Sequence, residues 1–153
     1  MELILWRHAE AEDAAPGGDA ERALTKKGRR QAERMAKWLR PRLEGDWTVL
    51  CSPALRAVQT VEPLGLPYEE RRGLSTAGDV ATLLREAGWP TGGRVLVVGH
   101  QPTLGEAVGR LFGLEGGVAV RKGAIWWFAA RSRGGRHETV LRAVVDPDLL
   151  DAP

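Results

Sequence analysis

Three short runs in this chain are apolar without a break: Leu3-Ile4-Leu5-Trp6, Val49-Leu50-Cys51 and Val95-Leu96-Val97-Val98. A strand with one wet face alternates apolar and polar residues, because successive side chains point to opposite sides. These runs do not alternate, so both of their faces must be buried. Strands of that kind form parallel sheets covered by helices on both sides. The chain is therefore expected to be α/β: a three-layer α/β/α sandwich around a mostly parallel central sheet.

Helical spacing fills the segments between the runs. Thr25 is a good N-cap, and after it Ala32, Met35, Ala36 and Leu39 recur at intervals of three and four until Pro41 stops the pattern near Arg40. A second helix is predicted to open at Ser52-Pro53, serine as cap and proline at the first position, carrying Ala54, Ala57, Val58 and Val61 inward. A third runs from about Thr76 to Ala87, stopped by Gly88 and Pro90. A fourth follows Pro102, with Leu104, Val108, Leu111 and Phe112 on one face. Late strands are expected at Ala124–Ala130 and Thr139–Val145, joined through Arg131–His137. One of Trp126 and Trp127 should then face the core and the other the surface. Asp13–Asp19, with Pro16-Gly17-Gly18, reads as a flexible loop beside the first strand.

Composition bounds the function. At 153 residues the chain is expected to form one domain, residues 1–153, and 43% hydrophobic with 27% charged residues is globular composition. No apolar stretch approaches the roughly 20 residues that span a bilayer. Met1–Arg7 has neither the basic start nor the length of a secretory signal. One cysteine, Cys51, excludes an internal disulfide. A cytoplasmic protein with no membrane partner is expected, and a net charge of +2 gives no reason to expect nucleic acid.

The chemistry stands where the apolar runs end. The first ends in Arg7-His8, the third in Gly99-His100, and the second in Cys51-Ser52-Pro53 with Arg56 one helical turn onward. In a parallel sheet the carboxyl ends of the strands share one edge, where ligands bind. Helical side chains lean toward the N-terminus, so Arg56 can reach back over that edge. Two guanidiniums, a helix N-terminus and two imidazoles make an electropositive pocket of phosphate size. Alone, a strand-end histidine is most often structural and a surface arginine solvated; four such residues at one edge outweigh those readings. Neither histidine has an acidic residue at metal-site spacing, and paired arginines repel a cation, so neither a metal nor another cofactor is expected.

The same residues carry a family resemblance. Arg7-His8-Ala9 resembles the RHG signature of the histidine phosphatase superfamily, the clan of phosphoglycerate mutases and acid phosphatases. Ser52-Pro53-Ala54-Leu55-Arg56-Ala57-Val58-Gln59-Thr60 resembles its S-P-x-x-R-A-x-Q-T segment, and Val98-Gly99-His100-Gln101-Pro102 its V-G-H-x-P segment. Within the clan, Leu24-Thr25-Lys26-Lys27-Gly28, preceded by Asp19 and Arg22, is similar to the D-x-x-R-x-L-T-x-x-G stretch of small SixA-type phosphohistidine phosphatases. Leu74–Val80 and Lys122–Ala124 also look like that group. Two positions depart from the patterns: Ala9 replaces the glycine of the signature, and Ala23 a frequent proline. Mutases and larger phosphatases carry a helical cap insertion between the second and third motifs, and residues 57–99 leave no space for one.

The resemblance implies a phosphoglycerate mutase-like fold without a cap. It also implies a metal-independent phosphatase that passes through a covalent phosphohistidine on His8. Arg7, Arg56 and His100 would surround the transferred phosphoryl group, and Arg22 would bind substrate with them. Clan members that cleave esters add a general acid, for which Glu10, Glu12, Glu69, Glu70 and Asp79 are candidates. The substrate implied is phosphohistidine on a protein. The alternatives are a small phosphorylated molecule, such as a sugar phosphate or nucleotide, and a non-catalytic phosphate-binding module.

Overall fold

A computed structural model describes residues 1–150. Its centre is a six-stranded sheet of β1 (Glu2–Arg7), β2 (Thr48–Cys51), β3 (Glu69–Glu70), β4 (Arg94–Gly99), β5 (Ile125–Arg133) and β6 (Arg136–Val145), in the order β3-β2-β4-β1-β5-β6. The first four strands of that order are parallel, and β5 and β6 are added antiparallel. Helices α1 (Lys26–Leu39) and α2 (Leu55–Val61) cover one face, α3 (Val80–Ala87) and α4 (Thr103–Phe112) the other.

The unbroken apolar runs become the two-faced strands. Leu3 and Leu5 pack toward Leu83, Leu104 and Val108, whereas Ile4 and Trp6 pack toward Met35, Leu39 and Ala57. All four of these β1 side chains are 0% exposed, so the middle of the strand has no wet face. Neighbouring β1 and β4 are followed by helices on opposite faces, α1 after β1 and α4 after β4. The carboxyl ends of this pair therefore open a crevice at the switch point of the sheet, where open α/β folds bind ligands. The segment between Arg56 and His100 holds only the rest of α2, β3, α3, β4 and short 3-10 turns, with no cap insertion. Among the described residues no helix is long and apolar enough to cross a membrane.

Several elements depart from expectation. Helix α2 starts at Leu55 with Ala54 as cap, because Ser52 Oγ accepts from the Ala54 N–H at 3.2 Å and turns the chain before the helix begins. Helix α3 starts at Val80, where Asp79 accepts from the Thr82 N–H at 2.8 Å; Thr76 lies in the preceding turn. Phe112 ends α4 at 41% exposure and sets its ring against Trp126 and Phe128. β5 and β6 are longer than predicted and meet through Gly134-Gly135, both at positive φ, as a two-residue hairpin turn requires. Neither indole is a surface group: Trp127 is buried on the α1/α2 side, and Trp126 is half-buried on the α3/α4 side. Residues 13–18 are irregular and lead into a 3-10 turn at Asp19–Glu21.

Candidate active site

Arg7 pairs in register with Gly99, so the residues that follow, His8 and His100, meet just beyond the sheet with ring centroids 5.2 Å apart. The backbone of His8 is fixed on both sides: its N–H donates to Gly99, and its carbonyl accepts from the Gly123 N–H. The His8 ring places Nδ1 2.7 Å from the Ala9 carbonyl oxygen. A carbonyl can only accept, so Nδ1 carries the proton and the Nε2 lone pair is free. Burial lowers the pKa of His8 to about 4; the Ala9 bond opposes that shift, and the charges of Arg56, Arg7 and Arg22 add to it.

His100 Nε2 lies 2.7 Å from Ser52 Oγ. That hydroxyl already accepts from Ala54, so donating its own proton to Nε2 satisfies both groups. His100 Nδ1 then bears the hydrogen, and it is buried without a protein partner. Burial lowers His100 to about 3, with His8 and Arg56 adding to the shift and Asp19 opposing it.

The three arginines share one plan. Nη1 of Arg7 donates to the Val120 carbonyl, that of Arg22 to Glu12, and that of Arg56 to Asp19, each at 2.8 Å. Neutral carbonyls orient the guanidiniums without cancelling their charge. The Asp19 carboxylate adds a second link: Oδ2 accepts from Arg56 Nη2 at 3.1 Å, and Oδ1 from Arg22 Nε at 3.0 Å. The hydrogen bond from Arg56 holds the Asp19 carboxyl below the usual carboxylate range. Nε of Arg7 and of Arg56 are buried with no partner in the protein. Buried donors of this kind are rare and suit an anionic ligand. A cavity of about 460 Å³ is lined by Arg7, His8, Arg22 and Arg56, with Asp13, Asp19, Thr76, Gln101 and Lys122 on its wall.

Supporting residues lock these parts together. Thr60 Oγ1 accepts from the Ala9 N–H at 3.0 Å and donates to the Arg56 carbonyl at 2.7 Å, which ties the β1 loop to α2. Gln59 Oε1 accepts from the Leu24 N–H at 2.8 Å. The first turn of α1 crosses the same loop so closely that a Cβ on Gly28 would stand 1.9 Å from the Glu10 carbonyl oxygen. Sequence reasoning listed Gln59, Thr60 and Gly28 only as letters of a motif; these contacts are their physical work.

The acid candidates lie elsewhere. Glu10 accepts from the Thr25 hydroxyl at 2.7 Å and lines a neighbouring cavity, Glu69 pairs with Arg71, Glu70 is exposed on edge strand β3, and Asp79 caps α3. Glu12 meets Arg22 alone, through its backbone carbonyl. None of the five lines the cavity that holds His8 and Arg56; its carboxylates are Asp13 and Asp19. Asp13 lies in the irregular stretch 13–18, where spacing held no signal for it; Asp19 opens the 3-10 turn and stood in the sequence only as the first letter of the D-x-x-R motif. A larger cavity, about 520 Å³, lies around Trp38, Trp47 and Trp127 at the opposite end of the sheet. Its polar groups pair among themselves: Glu2 accepts from Arg94, Arg142 and the Trp127 indole, and Arg42 and Arg142 cover the faces of Trp38 and Trp127.

Residues 3–87 match the model of the histidine phosphatase superfamily (branch 1). The chain is 36% identical over 124 residues to phosphohistidine phosphatase SixA of Escherichia coli, covering 72% of this chain and 74% of that protein. It superposes on the structure of the protein histidine phosphatase SixA complexed with tungstate with a TM-score of 0.78 at 30% identity, over 97% and 98% of the two chains. A phosphoserine phosphatase from Entamoeba histolytica shares the fold, with a TM-score of 0.71 at 18% identity over 97% and 99% of the chains.

Proposed function

This chain belongs to the histidine phosphatase superfamily, and from that premise we propose that it hydrolyses phosphohistidine on a protein through a covalent intermediate on His8. One observation carries the reading: the Nδ1–H of His8 is spent on the Ala9 carbonyl, so a neutral imidazole keeps its Nε2 lone pair at the floor of an arginine-lined cavity. In the first step Nε2 attacks phosphorus in line. The P–N bond of the substrate breaks, and its electron pair leaves with the substrate imidazole, which takes a proton from solvent. Arg7, Arg56 and Arg22 on the cavity wall surround the phosphoryl oxygens, whose charge they stabilise, with His100 backing the His8 ring. In the second step water attacks the phosphorus on His8, inorganic phosphate departs, and the bonding pair returns to Nε2.

The leaving group supports the choice of substrate. Asp19 is held ionised by Arg56 and Arg22, so it has no proton to give an alkoxide. Imidazole needs far less help, because its conjugate acid lies about nine pKa units below an alcohol near the bulk-water value. The similarity to SixA points the same way. A second reading, a small-molecule phosphomonoesterase, is favoured by Asp13, a carboxylate on the cavity wall with no hydrogen bond or ion pair to another described side chain.

Single-turnover reaction with a labelled phosphohistidine protein should place label on His8, and His8→Ala should form no adduct. kcat/KM should fall in the order phosphohistidine, aryl phosphate, alkyl phosphate. Equal hydrolysis of the alkyl ester would shift the reading to the phosphomonoesterase, with Asp13 as its acid. Binding without turnover would leave only a phosphate-binding module.

A further inference from the structure

A buried guanidinium is costly unless it is paired. Arg56 is 2% exposed, and among the described residues its one carboxylate partner is Asp19, whose own side chain is 60% exposed. The same carboxylate holds Arg22. Two donors of the arginine cluster thus end on one solvent-exposed pair of anionic oxygens, and a phosphoryl group in this cavity requires donors from the same two arginines.

We propose that Asp19 is an exchangeable internal anion of the site: its carboxylate holds Arg56 Nη2 and Arg22 Nε until phosphoryl oxygens take its place. The proposal rests on the reading that this cavity receives a phosphoryl group. Three features make the exchange possible without disturbing the arginines. Each Nη1 stays anchored on a backbone carbonyl, Arg56 on Asp19 itself and Arg22 on Glu12, so only Nη2 and Nε change partner. The carboxylate already meets water, so it can turn out to solvent as the phosphoryl oxygens take over the charge of the buried guanidinium. Asp19 also follows Gly18, whose φ of +104° suits glycine, so the turn carrying the carboxylate starts from the most permissive kind of backbone.

Asp19 cannot be the whole complement of the site. Nε of Arg7, Nε of Arg56 and Nδ1 of His100 remain buried without partners while the carboxylate is in place. These buried donors become usable only if the site shifts around a ligand, so the exchange itself involves Arg56 Nη2 and Arg22 Nε alone. The exchange has a kinetic consequence: as inorganic phosphate departs, the carboxylate re-forms its two bonds, which lowers affinity for the product and speeds its release. The rival role for Asp19 is to orient the arginines, and the two roles predict opposite signs.

The test is calorimetric binding of inorganic phosphate and orthovanadate to the wild-type protein and to Asp19→Asn, which keeps the shape and one oxygen acceptor but removes the charge. Exchange predicts binding roughly 5- to 10-fold tighter in the variant. Unchanged or weaker binding overturns the inference and leaves the functional reading standing. Failure of the wild-type protein to bind either anion overturns that reading along with the inference. A crystal structure of the wild-type protein with vanadate does not depend on how the variant folds. The carboxylate should lie beyond hydrogen-bond reach of Arg56 Nη2 and Arg22 Nε, with all three Nη1–carbonyl bonds kept. A carboxylate still bonded to both arginines would overturn the proposal.

Discussion

Acidification should unfold this protein through its two site histidines, by an amount that can be worked out. His8 and His100 are 8% and 4% exposed, and the fold lowers their pKa values from 6.5 to about 4 and about 3. Between those values and 6.5 the unfolded chain binds protons that the folded chain refuses. The stability each histidine provides is therefore complete above 6.5 and is lost as pH falls. At about pH 5 an unfolded imidazole lies roughly 1.5 units below its pKa, worth about 2 kcal/mol per histidine, or about 4 kcal/mol for the pair. That is a large share of the roughly 5–15 kcal/mol that holds an ordinary domain together. Urea unfolding at about pH 8 and about pH 5 reads the difference directly. His8→Asn should lose only about half as much as the wild type over that interval, whatever its stability at the upper pH. Asp19 contributes with the same sign, since its carboxyl is also held low, but it is present in both proteins and cancels. Equal losses in the two proteins would refute the claim that burial keeps the His8 imidazole neutral.

Other expectations concern the arginines and the frame. Arg56→Lys keeps the charge but cannot hold the Asp19 carbonyl and a phosphoryl oxygen in one planar fork; kcat/KM should fall by about 10²–10³, and an unchanged value would place Arg56 outside the reaction. Activity should survive excess EDTA, because guanidiniums supply the positive charge; loss restored by Mg²⁺ or Zn²⁺ would show otherwise. Gly28→Ala should lower Tm and activity together, since its Cβ would stand 1.9 Å from the Glu10 carbonyl oxygen and push α1 off the His8 loop. A variant with wild-type Tm and rate would show that the approach relaxes freely.

What was legible in the sequence follows from where side-chain periodicity carries information. The runs 3–6, 49–51 and 95–98 are buried on both faces, so their composition alone marked the parallel strands and the edge where His8, Arg56 and His100 stand. Helix α1 was readable because Thr25 does cap it, accepting from the Gly28 N–H. The misreadings fall where a polar residue had two possible jobs. Ser52 looks like a cap but serves His100 and the turn, and Asp79 outcompetes Thr76 as the start of α3. The hairpin end from Arg131 to His137 is exposed apart from its backbone pairing, so no apolar pattern marked it as strand. Arg22 and Asp19 were legible only through the motif they share; the bonds to Glu12 and Arg56 that carry them to the cavity have no counterpart in local spacing.

Nothing between Arg56 and His100 folds over the crevice, so on the proposed reading the carrier of the phosphoryl group would have to supply the missing wall. Charged hydrogen bonds strengthen as water is squeezed from around them, so the local dielectric during the reaction is set by the bulk of whatever carries the phosphoryl group. A compact metabolite would leave the arginines wet, whereas a broad protein surface would seal them. Turnover on carriers of graded size, all with the same P–N bond, should therefore climb with the footprint of the carrier.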